Sequence, residues 1–554
     1  MANMSIEQAF GVAVQHQQQG RPAEAENLYR QIIAQQPNHA DSHYMLAALG
    51  YQIGRSAEAL PLARRAVELN PGNADFQILT GVLLATIGNL PEAVESFRQA
   101  VALRPEDASA LNNLANALRE TGRFEEAVNA YQQAILLQPD FAEAYANMSS
   151  PLLELGRADE AIDACRKAIT MRPGYAGAYS DLGNAMKEKG LFEEAAQAYR
   201  QAIAFQPNNP DASYNLGTLH RDKGELDQAI SAYRQAIALR PGYPLARWNM
   251  GLTLLMKGDP AGWDGHEARW ELSGKRPDRN FTKPMWDGSA LSGRSILLHA
   301  EQGFGDTIQF VRYAKMVHAR GGRVSLLCPP QLQKLLVGQL NLEEVVSDEP
   351  SVPEFDVHYP LMSLPRILGE PHQIPAEVPY ISPDAVLVEQ WRRRLANQPI
   401  GMKVGLVWSG RPGSARYNRR ALMLEQLAPL ANVGDVQFYN LQKGEGAAQS
   451  KSPPSDMHLV DWSEELNDFA DTAAFIQNLD LVIGVDTAVA HLAGAMGKPV
   501  WLLLSFSPEW RWMLNRSDSP WYPTMRLFRQ PKFADWQSAI DQMAHALKIE
   551  AGKC

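Results

Sequence analysis

Across the first 257 residues, apolar positions recur at helical spacing in short blocks, and the blocks themselves repeat. Gly20, Gly54, Gly88, Gly122, Gly156, Gly190, Gly224 and Gly258 stand 34 residues apart without exception. A proline follows seventeen positions after each of the first seven: Pro37, Pro71, Pro105, Pro139, Pro173, Pro207 and Pro241. Between them stand Ala25, Ala59, Ala93, Ala127, Ala161, Ala195 and Ala229, each followed four residues later by Tyr29, Ala63, Phe97, Tyr131, Cys165, Tyr199 or Tyr233. Each unit reads as two helices, with the glycine supplying the turn after the first and the proline ending the second. The small alanine lets the pair approach closely, and the larger residue fills the space beyond it. One such unit cannot bury its apolar face alone, so stacked units share a continuous core.

The pattern resembles the tetratricopeptide repeat. Seven full units are expected from Ile6 to about Tyr243, with an eighth first helix over residues 244–257, so that 6–257 forms an α-solenoid with a concave groove. At the sixth position of successive units stand Gly11, Met45, Leu79, Asn113, Asn147, Asp181, Asn215 and Asn249. A side-chain amide offers both donor and acceptor, so Asn113, Asn147, Asn215 and Asn249 are candidates to clamp the backbone of an extended protein segment. A similar ladder of asparagines marks the repeat domain of eukaryotic O-GlcNAc transferases, which this half resembles.

The period vanishes after Gly258. Residues 258–293 read as a connector in which Trp263, Trp270 and Trp286 are expected to pack the repeats against the second half of the chain. Beyond the connector, short apolar runs alternate with helical stretches, the signature of parallel sheets covered by helices. Strands are expected over 295–300, 323–328 and near Val345 and Val357, with a helix over 307–319. After a proline-rich stretch at 371–383, further strands are expected over 404–408, 436–441, 481–485 and 500–504. Helices are expected over 424–430, 468–478, 487–496 and 534–549. Two α/β lobes, 294–385 and 400–554, imply a cleft at the carboxyl ends of their strands.

The sharpest local signal lies at 481–500. A buried strand runs into Asp486 and Thr487 at the start of a helix, so free backbone N–H groups and the positive end of the helix dipole face the cleft. This is a seat suited to a diphosphate, with the Thr487 hydroxyl and His491, one turn on, on the same side. Asp486 fits a cap or a hydrogen-bond acceptor for a sugar. Lys443, just past a strand end, and Arg419 or Arg420, in a polar loop, are candidate cations for the leaving group. The stretch 508–523 carries Trp510, Trp512, Trp521 and Tyr522, for which lobe packing is favoured over stacking on a ligand.

Asp486, Thr487, His491, Leu492, Gly494, Ala495 and Pro499 resemble the D-[ST]-x-x-x-H-[IL]-x-[AG]-A-x-x-x-P signature of bacterial heptosyltransferases, which are two-lobed GT-B enzymes. The first lobe offers a second match at Gly303, Gly305 and Asp306, where that family carries a glycine-aspartate loop. The resemblance implies Asp306 as catalytic base, with Gly305 beside the donor. Gln309 and Phe310 depart from the family pattern. An inverting transfer needs a carboxylate at the acceptor hydroxyl, opposite the departing diphosphate. No D-x-D pair stands in the sequence, so metal-independent chemistry without a bound cofactor is expected.

Composition narrows the setting. The 554 residues carry Lys+Arg 52 against Asp+Glu 62, a net charge of −10 that disfavours electrostatic wrapping of nucleic acid. Cys165, Cys328 and Cys554 are too scattered for a disulfide framework or a zinc motif. The N-terminus lacks signal-peptide character and no run reaches spanning length, so a cytoplasmic chain is expected. The combined expectation is a glycosyltransferase using a nucleotide-diphosphate-sugar donor, heptosyltransferase-like, with its solenoid recruiting a protein. An O-GlcNAc-transferase-like enzyme and a non-catalytic adaptor are the alternatives.

Overall fold

The structure, a computed structural model, describes residues 4–272, 279, 281–368, 374–410 and 421–552, with Glu445 as backbone only. It divides into two compact units, 1–207 and 208–554. In the first unit, helix pairs run from Ile6–Gln18 and Pro22–Gln35 through to Ala176–Glu188 and Phe192–Phe205. Ala25, Tyr29, Ala127, Tyr131, Ala195 and Tyr199 are fully buried, so the small residue and the ring behind it form the seam between paired helices. Buried ring hydroxyls find partners fifteen residues earlier: Tyr131 donates to Asn116 at 2.6 Å and Tyr199 to Asn184 at 2.8 Å. The eight turn glycines have φ between 71° and 85°, a left-handed conformation that favours glycine.

The second unit opens with a further pair, Pro210–Asp222 and Leu226–Leu239, and the helix Pro244–Lys257. The connector folds directly onto this last helix as the short helix Gly262–His266 and a 3-10 turn, Glu267–Glu271. Their backbones touch: a Cβ on Gly251 would lie 2.7 Å from the Gly262 carbonyl oxygen, and one on Gly262 would lie 2.4 Å from the Gly251 carbonyl oxygen. Trp263 and Trp286 are buried, as packing residues should be.

Among the described residues, the first sheet has strands β1 (Ser295–His299), β2 (Arg323–Leu327), β3 (Leu342–Val346) and β4 (Val357–Pro360), all parallel in the order β3-β2-β1-β4. The second has β5 (Met402–Val407), β6 (Val436–Asn440), β7 (Leu459–Val460), β8 (Leu481–Val485), β9 (Val500–Leu504) and β10 (Met525–Arg529). These are also parallel, in the order β10-β9-β8-β5-β6-β7. Several elements of the lobes lie outside the expected set, among them β7, β10 and the helices Pro330–Leu336, Leu364–Ile367 and Ala385–Leu395. The expected helix at 307–319 begins earlier, as Phe304–Phe310 followed by Ala314–Ala319.

One apolar core runs through both lobes, holding Ile296, Leu298 and Leu326 of the first together with Val482, Val500 and Leu502 of the second, beside a second core within the second lobe. The guanidinium of Arg312 bridges them. It donates to the carbonyls of Pro375 and Trp521 and to the Tyr380 hydroxyl, each at 2.9 Å, while Tyr380 Oη donates to the Ile308 carbonyl at 3.0 Å.

Gly251→Ala is expected to lower the thermal midpoint by several degrees. Helix propensity alone favours alanine by about 1 kcal/mol, so a fall measures a backbone clash costing about 1–3 kcal/mol or more. A second expectation concerns pH. Burial, then the nearby Arg279 and His358, push His299 down to about 3. Because this depresses the folded-state value, its contribution is intact above pH 6.5 and is lost as pH falls toward 3. By pH 5 the loss amounts to about 2 kcal/mol. The thermal midpoint of His299→Gln should therefore fall less between pH 7.5 and pH 5 than that of the wild type.

Candidate functional site

All six strands of the second sheet are parallel, so the loops after β5, β6 and β8 emerge on one edge. They are sewn together there. Gln442, just past β6, accepts from the backbone N–H groups of Trp408 and Ser409, just past β5, at 3.1 and 2.8 Å, and donates to the Lys443 carbonyl at 2.8 Å. A Cβ on Gly410 would lie 4.0 Å from the Thr487 methyl, which brings the β8 turn to the same edge. Lys443 stands exposed at this rim. Arg419 and Arg420 fall in 411–420, outside the described residues.

Thr487 occupies the N-cap position of the helix Ala488–Ala495 with extended backbone, φ −140° and ψ 164°, but its side chain does not cap the helix. Its hydroxyl oxygen is buried and has no hydrogen-bond partner among the described residues. A buried hydroxyl without a partner costs free energy that a ligand oxygen would recover. The first amides of the helix have no intrahelical partner and point the same way. Asp486 precedes them, half-buried.

The first lobe meets this helix tip directly. Gly305 is so close that a Cβ there would lie 3.5 Å from the Ala488 Cα and 2.9 Å from His491 Cδ2. Only a residue without a side chain fits. Asp306 follows at the third position of the helix Phe304–Phe310, and its Oδ2 accepts from the Gly303 backbone N–H at 3.1 Å. Thus the turn that carries Asp306 on one lobe abuts the helix that follows Thr487 on the other.

His491 departs from expectation. At 4% exposure it lies beneath Gly305, its ring stacked on Trp512 with centroids 5.4 Å apart and its Nδ1 in a 2.8 Å hydrogen bond with the Tyr522 hydroxyl. Its Nε2 stands 3.6 Å from Asp486 Oδ1. It packs at the lobe junction between Gly305, Trp512 and Tyr522, a depth that helical spacing does not reveal. The aromatic run at 508–523 packs likewise, with Trp510, Trp512, Trp521 and Tyr522 all buried.

Arg511, within that run, is the principal residue missed. Its Nη2 donates to Asp306 Oδ1, its Nε to Gln309 Oε1, and its Nη1 to Glu509 Oε1 at 2.7 Å. Gln309, where this chain departs from the heptosyltransferase pattern, is fully buried and serves this guanidinium. A charged residue between two tryptophans was the available signal. With one Asp306 oxygen bonded to Gly303 and the other to Arg511, the carboxylate is fixed in direction while retaining lone pairs for a hydroxyl donor.

Among the groove asparagines, Asn113, Asn147 and Asn215 are half-buried. Asn249 is a correction. Its amide nitrogen donates to the Tyr214 hydroxyl at 3.1 Å and to the Leu245 carbonyl at 2.9 Å, and its oxygen accepts from Arg221, so its capacity is used within the repeats.

Family models match parts of both halves of the chain. The tetratricopeptide-repeat family model matches residues 13–74, 51–108, 78–135, 112–176, 180–244 and 214–262. The model of glycosyltransferase family 9 (heptosyltransferase) matches residues 466–521, the stretch holding Thr487 and Arg511. Protein FlbA of Caulobacter vibrioides is 27% identical over 311 residues, covering 52% of this chain and 52% of that protein, so the chain spans about half the length of this relative. Among solved structures, MamA is 27% identical with a TM-score of 0.28, covering 29% of this chain and 95% of that one. YrrB, a repeat protein described as having an unusual peptide-binding site, is 21% identical with a TM-score of 0.27, covering 33% and 95%. No helix among the described residues is long and apolar enough to cross a membrane. The chain carries tetratricopeptide repeats across its N-terminal half and, in its second α/β lobe, a segment similar to glycosyltransferase family 9.

Proposed function

We propose that this chain is a heptosyltransferase-like, metal-independent, inverting enzyme of the cytoplasm. It moves a sugar from a nucleotide-diphosphate donor to a hydroxyl of an acceptor that its repeats recruit as protein or peptide. One observation carries the reading: the Gly305–Asp306 turn of one lobe abuts the Thr487 helix start of the other. In the reaction, Asp306 accepts the proton of the acceptor hydroxyl as its oxygen bonds the anomeric carbon, and the bond from that carbon to the diphosphate breaks on the opposite face. The amides at the start of helix Ala488–Ala495, the Thr487 hydroxyl and Lys443 receive the departing charge. Arg511 keeps the carboxylate aimed. Asn113, Asn147 and Asn215 are the residues assigned to the recruited segment.

Calorimetric titration with a panel including nucleoside-diphosphate heptoses and UDP-GlcNAc is expected to find a donor that binds. Binding and transfer of UDP-GlcNAc alone would favour an O-GlcNAc-transferase-like enzyme, and no binding across the panel would leave a non-catalytic adaptor. Asp306→Asn should keep donor affinity while transfer falls by about 10²–10⁴-fold; wild-type transfer by this variant overturns the assignment of the base. Alanine at Asn113, Asn147 and Asn215 together should weaken acceptor capture with donor affinity unchanged, as read by KM for the protein acceptor.

A further inference from the structure

Asp306 is bonded by Arg511, the turn that carries it begins near Glu301, and both Arg511 and Glu301 lead back to the connector that closes the repeats. On one side, Trp263 and His266 lie against Trp510, with ring centroids 5.4 and 6.3 Å apart. The Trp510 ring in turn lies 4.8 Å beneath the guanidinium of Arg511, which grips Asp306. On the other side stands Arg269, in the 3-10 turn Glu267–Glu271. Its side chain and that of Glu301 are each only 1% exposed, and they meet at 2.8 Å through Nη2 and Oε1. The same Nη2 donates to Ser363 Oγ at 2.7 Å, and Nη1 donates to Glu267 Oε1 at 2.6 Å and to the His266 carbonyl at 3.2 Å. Glu301 lies between β1 and the helix Phe304–Phe310, at the root of the turn that ends in Asp306.

The pair is poorly explained by stability. Its second carboxylate oxygen, Glu301 Oε2, is buried with no hydrogen-bond partner among the described residues, and burial pushes this carboxyl up to about 7 despite Arg269. Two desolvated charges with an unsatisfied oxygen contribute little net stabilisation, and apolar side chains of similar volume commonly replace such pairs without loss. The pair does, however, fix direction. A planar fork whose two Nη groups bond two acidic side chains, a hydroxyl and a carbonyl holds Glu301, near the start of the Asp306 turn, from a fixed direction.

We propose that Arg269 is a positioning residue for the transfer reaction: through Glu301 it sets the turn that carries Asp306, so the connector behind the last repeat helps aim the base. This rests on the assignment of Asp306 above.

The test uses the full chain with Arg269→Met, Glu301→Gln and the double variant Arg269→Met/Glu301→Met. Three readouts are taken: thermal midpoint, kcat and donor KM with whichever panel donor the wild type transfers, and amide hydrogen exchange over residues 301–310, which needs no donor. Arg269→Met alone should lower the midpoint, and the double variant should restore it to within a few degrees of wild type. In the double variant kcat should stay down by about tenfold or more with donor KM within about twofold, and exchange over 301–310 should be faster than wild type while exchange over Met402–Val407 is unchanged. Glu301→Gln, which keeps the acceptor oxygen, should retain most of the activity. Wild-type kcat, or wild-type exchange over 301–310, in a double variant of restored stability overturns the proposal. Should the double variant not fold, Arg269→Lys against Glu301→Gln carries the same comparison, equal exchange over 301–310 in both and in wild type being the contrary result. If the wild type transfers nothing from the panel, the functional reading fails while exchange still decides the positioning role.

Discussion

The arrangement of the site depends on one close contact, between the Gly305 backbone and the first turn of helix Ala488–Ala495. A methyl group at Gly305 would meet the His491 ring at 2.9 Å, so the absence of a side chain there sets how near the two lobes come. Everything that reads as chemistry depends on that approach. It brings Asp306, one residue on, close to the helix start that follows Thr487. It also places Asp306 within reach of Arg511, which arrives on the loop after β9.

Around this contact the protein places buried cations where a hinge would otherwise be free. Arg312 bonds carbonyl and hydroxyl groups contributed by both lobes and the segment between them, while Arg511 joins a carboxylate and an amide of the first lobe to Glu509 of its own. Guanidinium groups suit this role because they stay charged and bond in fixed directions. Beneath them lies the shared apolar core, whose burial favours folding. The repeats answer a different constraint, since each helix pair exposes an apolar face that the next unit covers.

How much of this was legible in the sequence depends on how local each signal is. The repeats were legible because every unit writes its own turn glycine, seam alanine and closing proline within 34 residues. Strands β8 and β9 and the helix between them were legible because continuous apolar runs flank a turn. Strand β10 was not: Arg526 and Arg529 interrupt its apolar residues, and its pairing with β9 supplies what its composition does not. The helix Ala385–Leu395 was hidden by a preceding proline-rich stretch and by Arg392, Arg393 and Arg394 in its last turn. Arg511 was invisible for a different reason, as its partner Asp306 lies 205 residues away and no spacing rule connects them. His491 shows the complementary limit, because helical phase fixes a direction while depth depends on Trp512 and Tyr522 packed around it.

The central claim is that a carboxylate of one lobe and a diphosphate held at a helix start of the other share a single crevice. A crystal structure of the full chain with a bound nucleoside diphosphate tests it most directly. The account expects the diphosphate oxygens within hydrogen-bond distance of the Thr487 hydroxyl and the amides of residues 488–490, with the Asp306 carboxylate facing the same space. A diphosphate seated elsewhere, or separated from Asp306 by intact protein, would contradict it.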